Sequence, residues 1–534
     1  MPGLQAGTHI SPPVQGTTRL NLEPLTLGVK MRRVAMPWKT NPVIYEINTR
    51  LWLKDLSAKY RRPVDLETVP SGEMERFAAN GIDAVWLMGV WTRSSEGVKI
   101  ARLAPGLKEE FRRALGNPDK EDIGASPYAI LSYEVDRELG GKQALAVFRA
   151  GLHAFDIRLI LDFVPNHMAV DTPLLSTNPD LFLHDALFSA DSDDYFKHKV
   201  RGKTYTFAHG RDPYFPGWTD TVQVDYSKEA TRVFMADLMD RAASMCDGFR
   251  CDMAQLDTPD VFEKTWGKVF DKKETFWKPA IRKVKSGRTD FLFIAEVYWG
   301  LEWELQQEGF DLTYDKTLYD RLRYSTPDDV RGHLRADISY QNKLIRFIEN
   351  HDEERAPRAF HDKASVAALL SATVPGATLF HEGQFEGRSI RIPVQLTRRP
   401  VEPVDHEIRD FYGFLLKEIA DSIYHNGDWR LLEVSSAGGD TYHNIVAYQW
   451  TMEGKIKIIA VNLADRTSRG YVWPLLRPEK NEHILYDQIT KREFRYDASV
   501  LNTDGLYVEL EQYKAHIFDV SEIEESGYQD SVLK

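Results

Sequence analysis

Four short stretches of this chain end an apolar run in groups that can carry charge or move protons. "LILDFVPNH" (159–167) closes on Asp162, Asn166 and His167, "GFRCD" (248–252) on Arg250 and Asp252, "FIAE" (293–296) on Glu296, and "FIENHD" (347–352) on Asn350, His351 and Asp352. A carboxylate in an apolar strand is costly unless it is paired or used. One such residue could be a helix cap or half of a surface ion pair, but four strands ending in carboxylates, with histidine and arginine among them, indicate a site. The residue types also suggest a division of labour. Arg250 and Asp252 are two apart on a strand, hence on one face, and a neighbouring cation favours an ionised carboxylate. Glu296 sits among Phe293, Ile294, Ala295 and Val297, a setting that keeps a carboxyl group protonated. An ionised carboxylate beside a protonated one can act as nucleophile and general acid. The histidines are spread over separate strands with no HExxH pair, which argues against a catalytic metal.

Such groups need strands to hold them. Eight apolar or β-branched runs occur, at 43–53, 84–90, 158–167, 248–254, 291–298, 310–316, 344–352 and 377–383. Helix-like stretches lie between most of them, as in "GGKQALAVFRAGLHAFD" (140–156) and "SKEATRVFMADLMDRAAS" (227–244). Alternating helices and buried strands indicate an α/β fold, and eight strands fit a (β/α)8 barrel, whose active site lies at the C-terminal ends of the strands. Residues 168–225 interrupt the rhythm with aspartates, prolines, glycines and aromatics and are expected to form a small inserted domain after the third strand. From about 430 the pattern changes to alternating strands separated by polar turns, as in an antiparallel β-sandwich. The expected organisation is an N-terminal leader (1–42), a barrel (43–167 and 226–429), an inserted domain (168–225), a C-terminal sandwich (430–521) and a tail (522–534).

The 534 residues are enough for two or three domains, and the formal net charge is −12. That balance disfavours nucleic acid and anionic membranes as partners, since both require a basic face. It suits a neutral ligand, and the 12 tryptophans and 23 tyrosines could supply platforms for carbohydrate. The two cysteines, Cys246 and Cys251, read as free buried thiols. The first 40 residues contain no apolar signal core, and no run approaches a membrane span, so a cytoplasmic location is expected.

The four segments, in this order on the third, fourth, fifth and seventh strands, resemble the signature segments of the α-amylase superfamily, glycoside hydrolase family 13. "GASPYAILSYEVDRELGG" (124–141) and "VQVDYS" (222–227) resemble two further family segments. The resemblance covers most of the chain and implies retaining hydrolysis of an α-glycoside, with Asp252 as nucleophile, Glu296 as acid/base and Asp352 as the third carboxylate, binding sugar hydroxyls. His167 and His351 would bond the same sugar and Tyr128 would stack on it, while Asp162 would brace Arg250. Asn350 and Arg355 fall among the expected substrate-binding residues. No cofactor is needed for this chemistry. A structural calcium is implied at Asn166, with Asp171, Asp212 and Asp225 as candidate oxygens.

The sequence also departs from the family pattern. Gln255 and Leu256 stand where many starch-acting members carry a lysine–histidine pair that contacts the leaving sugars. Gln255 is therefore expected at the leaving-group side, with a preference for short α-glucosides or chain ends. The arginine-rich stretch 381–400 reads first as a solvated loop with salt bridges. Three functions are open: an α-glucan hydrolase, a transglycosylase on the same scaffold, and a non-catalytic sugar-binding barrel. Retention of all three carboxylates speaks against the last.

Overall fold

The computed structural model describes residues 38–189, 192–268, 275–476 and 482–522. Of the expected leader, 1–37 lie outside the described residues, as does the expected tail from 523 onward. Eight parallel strands close a barrel: β1 (Val43–Asn48), β2 (Ala84–Met88), β3 (Arg158–Phe163), β4 (Gly248–Cys251), β5 (Leu292–Ala295), β6 (Leu312–Tyr314), β7 (Leu344–Arg346) and β8 (Ala377–His381), with β8 pairing back to β1. All eight are buried along nearly their whole length, as expected of strands covered on both faces. The register positions the chemistry. Arg250 on β4 pairs beside Asp162 on β3 and Ile294 on β5, so the guanidinium starts between the strands that carry Asp162 and Glu296.

All eight strand signals in the sequence correspond to barrel strands, but the first run was read too long. β1 stops at Asn48, whose side chain accepts from Leu51 N at 3.4 Å and caps the helix Thr49–Tyr60. Leu51, Trp52, Leu53 and Leu56 are then buried at helical rather than strand spacing. A second difference lies between β2 and β3. Helices Ser95–Leu103 and Pro105–Leu115 form a layer that strand counting did not anticipate. Phe111 and Ala114 of this layer form a small core with Leu396, from the loop after β8. The two loops are also joined by Gly124 N to Gln395 O at 2.7 Å, Thr397 N to Asp122 O at 2.8 Å, and ion pairs Arg391–Glu110 at 2.8 Å and Arg398–Asp122 at 2.6 Å. The arginine-rich loop is therefore stitched to its neighbours by salt bridges.

In the segment after β3, His167–Ala169 pairs with Thr221–Gln223, and a hairpin joins Tyr195–Val200 to Lys203–Ala208. Towards the C-terminus a six-stranded antiparallel sheet faces a three-stranded one, enclosing Leu432, Ile445, Ile458, Val472, Leu485 and Phe518. Trp450 Nε1 donates to Thr373 O at 2.7 Å and Arg331 Nη2 to Ile445 O at 2.6 Å, fixing this domain to the barrel. Cys246 and Cys251 are free and buried. Among the described residues no helix is long and apolar enough to cross a membrane.

One buried polar group in the barrel wall carries structural weight. Arg346 on β7 is fully buried and pairs with Asp315, which also receives His333 Nε2 at 3.0 Å and caps the following helix through Leu318 N at 3.0 Å. Removing one partner of a buried pair leaves an uncompensated charge, at a cost of about 3–5 kcal/mol. Asp315→Ala is expected to lower unfolding free energy by about that amount in denaturant titrations. Asp315→Ala combined with Arg346→Met should regain part of the loss, and an additive double variant would show that the pair is not coupled.

Candidate active site

Arg250 is 1% exposed and lies at the centre of the strand ends. Its Nη1 donates to Asp252 Oδ1 at 2.6 Å and its Nη2 contacts Glu296 Oε2 at 2.7 Å. Its Nε donates to Tyr314 OH at 3.3 Å, and the guanidinium lies 5.3 Å from the centre of the Tyr128 ring. One guanidinium thus holds both carboxylates, in keeping with the short separation of a retaining pair, about 5–5.5 Å. Glu296 is fixed further by Met253 N at 2.7 Å and by Tyr298 OH at 2.8 Å. Met253 reaches that position because it adopts a left-handed backbone, φ 41°, immediately after Asp252. Asp162, expected to brace Arg250, bonds mainly to other groups. It accepts from Trp86 Nε1 at 3.1 Å and Gly89 N at 3.0 Å, and stands 3.9 Å from Arg250.

A second charged chain comes from the opposite side. His351 lies between Glu46, which holds its Nδ1, and Asp352, 3.0 Å from its Nε2. Tyr128 stacks on His351, with centroids 5.4 Å apart, and its hydroxyl meets Nε2 at 2.6 Å. Burial alone would lower the His351 pKa, but the two carboxylates outweigh it and hold the ring as imidazolium. Burial would likewise raise Asp352, but His351 outweighs it and brings Asp352 down to about 2. Asp352 is the open member of the site, with 46% of its side chain exposed.

Burial carries Glu296 up to about 7, and repulsion from Asp252 and Asp352 adds to it against the pull of Arg250. For Asp252 the sequence reading had Arg250 lowering the carboxyl. In the fold, burial outweighs the ion pair and the net direction is upward. Glu296 remains the member that holds the proton, because Asp252 accepts the short, charge-assisted bond from Arg250.

Several expected substrate contacts are placed otherwise. Asn350 caps its own turn, accepting from Asp352 N and Glu353 N, both at 2.9 Å. Arg355 is 3% exposed, pairs with Glu349 of its own segment at 2.9 Å and braces the loop after β8 through Glu382 O at 2.9 Å. Gln255 is fully buried in the short helix Ala254–Asp257, and Leu256 is 2% exposed, so neither lines the leaving-group side. Trp277 Nε1, from the later helix Trp277–Gly287, donates to Ala254 O at 2.8 Å and holds this short helix in place. His167 is buried, with its ring 5.1 Å from that of Trp218, and burial lowers its pKa to about 3, so the ring is a neutral imidazole.

The four residues named for a structural calcium each have a protein partner, while Gln223 Oε1 and Asp225 Oδ2 nearby accept no hydrogen bond. Asn166 Oδ1 accepts from Gln223 Nε2 at 2.9 Å; Asp171 bonds Ser94 Oγ at 2.6 Å; Asp212 bonds two backbone amides; and Asp225 pairs with Lys228 at 3.1 Å. Among the described residues no group of three or more His, Cys, Asp or Glu side chains could hold a metal.

Sequence reasoning missed Glu46, Tyr298 and Tyr314. Glu46 did carry a signal, as the one carboxylate within the apolar strand "VIYEIN". The tyrosines had none, since a buried tyrosine reads as core until its hydroxyl partner is known.

No family model matches the chain. It is 24% identical over 451 residues to Alpha-amylase MalA of Haloarcula japonica, covering 82% of this chain and 57% of that protein. The chain thus spans about half the length of the curated relatives it matches. The maltogenic alpha-amylase AmyB from Thermotoga neapolitana superposes with a TM-score of 0.65 at 21% identity, over 91% of this chain and 99% of that one. The alpha-amylase of Geobacillus thermoleovorans, solved with acarbose, gives 0.64 at 18% identity, over 92% and 100%. These solved structures share with this chain its fold, a closed eight-stranded parallel barrel followed by C-terminal antiparallel sheets.

Proposed function

We propose that this chain is a retaining α-glycosidase acting on α-glucans or short α-glucosides. The observation that carries this reading is the single guanidinium of Arg250 gripping Asp252 and Glu296 together, with Asp352 open to the cavity beside them. Asp252 attacks the anomeric carbon while Glu296 gives its proton to the leaving oxygen. The products of that step are a glycosyl ester on Asp252 and a Glu296 carboxylate. Glu296 then takes a proton from incoming water as the ester bond breaks, and the sugar leaves with its configuration retained. A sugar hydroxyl in place of water would give transfer by the same step. Asp352 and Tyr128 hold the sugar that reacts, and the His351 imidazolium keeps Asp352 ionised to accept hydroxyl hydrogens. The wall formed by the loops after β2 and β8, on the side of Tyr128, supports a preference for short substrates or chain ends.

The pH dependence follows from the two carboxyls. The first step needs Glu296 protonated and Asp252 ionised, so kcat/KM should fall as pH rises through about 7 and fall again in acid as Asp252 takes up a proton. Glu296→Gln, assayed with an activated aryl α-glucoside that needs little acid help, should lose the alkaline limb. A limb that persisted there would assign the titration to another group. Asp252→Asn should cut turnover on the same donor by several orders of magnitude, with the fold intact by circular dichroism, and should not share the partial rescue. Early products followed by NMR should be the α anomer; a dominant β anomer would remove Asp252 from the nucleophile role.

A further inference from the structure

A cleft of about 640 Å³ lies beside the segment that leads to Tyr128, with Gly124 and Ala125 in its wall and none of the three reactive carboxyls. Its volume is that of a small-molecule site. Helix Thr49–Tyr60 brings Arg50 and Lys54 to it, strand Trp91–Arg93 brings Arg93, and helix Ser95–Leu103 brings Arg102. Four cations thus face one space in a chain of net charge −12. Arg50 is matched by Asp136 and Glu138. The other three have no ion pair among the described residues. Arg93 Nη1 donates to Ala125 O at 3.2 Å and Arg102 Nη2 to Lys120 O at 2.6 Å, both neutral acceptors. Asp55 and Asp122 feel the charge of Lys54, but Arg399 holds the first at 3.0 Å and Arg398 the second at 2.6 Å. Arg93 Nε, Arg93 Nη2 and Arg102 Nε are shielded from water and donate to nothing in the protein. Buried donors left in this way call for a cause, and an ion is one of the few available. Burial, with the charge of Arg50 added to it, brings the Arg93 guanidinium down to about 9. The backbone also makes room for this cation, since a Cβ on Gly89 would fall 2.8 Å from Arg93 Nη2.

The charge balance says what would fill the cleft. Asp136 and Glu138 are taken by Arg50, so Glu121 is the acid in the wall that faces Lys54, Arg93 and Arg102. Three cations against one acid leave two charges unmatched, which a phosphate dianion would balance. Guanidinium groups and phosphate oxygens also match in geometry, and a cleft lined by one sign of charge concentrates the opposite ion. The place of Arg93 links this space to the proposed sugar site. Arg93 pairs in register with Ile130, two residues after Tyr128, and its Nη1 holds Ala125 O, three residues before Tyr128. An anion that fixes Arg93 therefore steadies the chain on both sides of Tyr128. We propose that this cleft binds a phosphoryl group, free or carried on a sugar, as an effector of the loop that bears Tyr128. Binding at the cleft stands apart from the glycosidase reading; the effect on turnover rests on it.

The test is calorimetric titration of the full chain with inorganic phosphate and, separately, with glucose 6-phosphate, at an ionic strength held constant with sodium chloride. Saturable binding of one or both probes is expected. Phosphate binding as tightly as the ester would identify the free anion as ligand, and binding of the ester alone would identify a phosphorylated sugar. Lys54→Gln and Arg102→Gln, neither of which alters the barrel core, should each weaken binding about tenfold. Arg93→Gln should weaken it at least as much. Arg466→Gln, which removes an exposed cation from the C-terminal sheets, should leave it unchanged. No binding of either probe would overturn the site, as would binding that Lys54→Gln and Arg102→Gln leave intact or that Arg466→Gln weakens equally. Saturation with the probe that binds should lower KM for an aryl α-glucoside about fivefold, and an unchanged KM would overturn the effector role. A chain inactive on every α-glucoside would count against the glycosidase reading, while the titrations would still judge the cleft.

Discussion

A guanidinium taken out of water costs several kcal/mol unless its charge is matched and its hydrogens are used. The charge of Arg250 is matched because three strand ends converge on it: Asp252 from its own strand, Glu296 from β5 and Tyr314 from β6. The same contacts that make the buried cation tolerable also hold Asp252 and Glu296, the proposed nucleophile and acid, on one guanidinium. Structure and chemistry are therefore one arrangement here. The barrel register that sets Arg250 beside Asp162 and Ile294 fixes the two reactive carboxyls as well. A change in that register would separate them and leave the cation exposed to its own desolvation cost.

The charges alternate outward from this centre. Asp252 and Asp352 face one cation each, Arg250 and His351, and His351 has Glu46 behind it. Glu296 shares Arg250 with Asp252, and one guanidinium cannot neutralise two buried carboxylates. Burial is the main cause of the raised pKa of Glu296, and repulsion from Asp252 and Asp352 adds to it against the pull of Arg250. Glu46 contributes without touching the reacting groups. It keeps His351 charged and oriented, and so keeps Asp352 ionised.

The sequence made the barrel legible because buried parallel strands are apolar runs bounded by turns, and the reactive groups legible because each breaks such a run at its end. What it hid depends on tertiary placement. Asn350 is near the site in sequence and space, yet its side chain is used by its own turn. Gln255 was placed at the leaving-group side by its position in a motif, but the short helix that follows Met253 turns it inward. Helices Ser95–Leu103 and Pro105–Leu115 were invisible to strand counting because their period is helical and their partner, Leu396, lies far along the chain. Glu46 was legible as an anomaly within "VIYEIN" but not as a partner for a histidine distant in sequence.

The barrel and its additions therefore answer different questions. The strand ends decide which bond can be broken, because only they bring Asp252, Glu296 and Asp352 together. The loops decide what reaches that bond. On the Tyr128 side, the layer after β2 and the loop after β8 are cross-linked by backbone bonds and by Arg391 and Arg398, so that wall is rigid. On the Glu296 side, contact between the inserted segment and the loop after β5 depends on aromatic rings, with Tyr214 on Trp299. Ring contacts tolerate small shifts that ion pairs and backbone bonds do not. Under the proposed glycosidase reading, the cross-linked wall would stand beside the sugar that is attacked, and the ring contacts would leave the other side able to adjust.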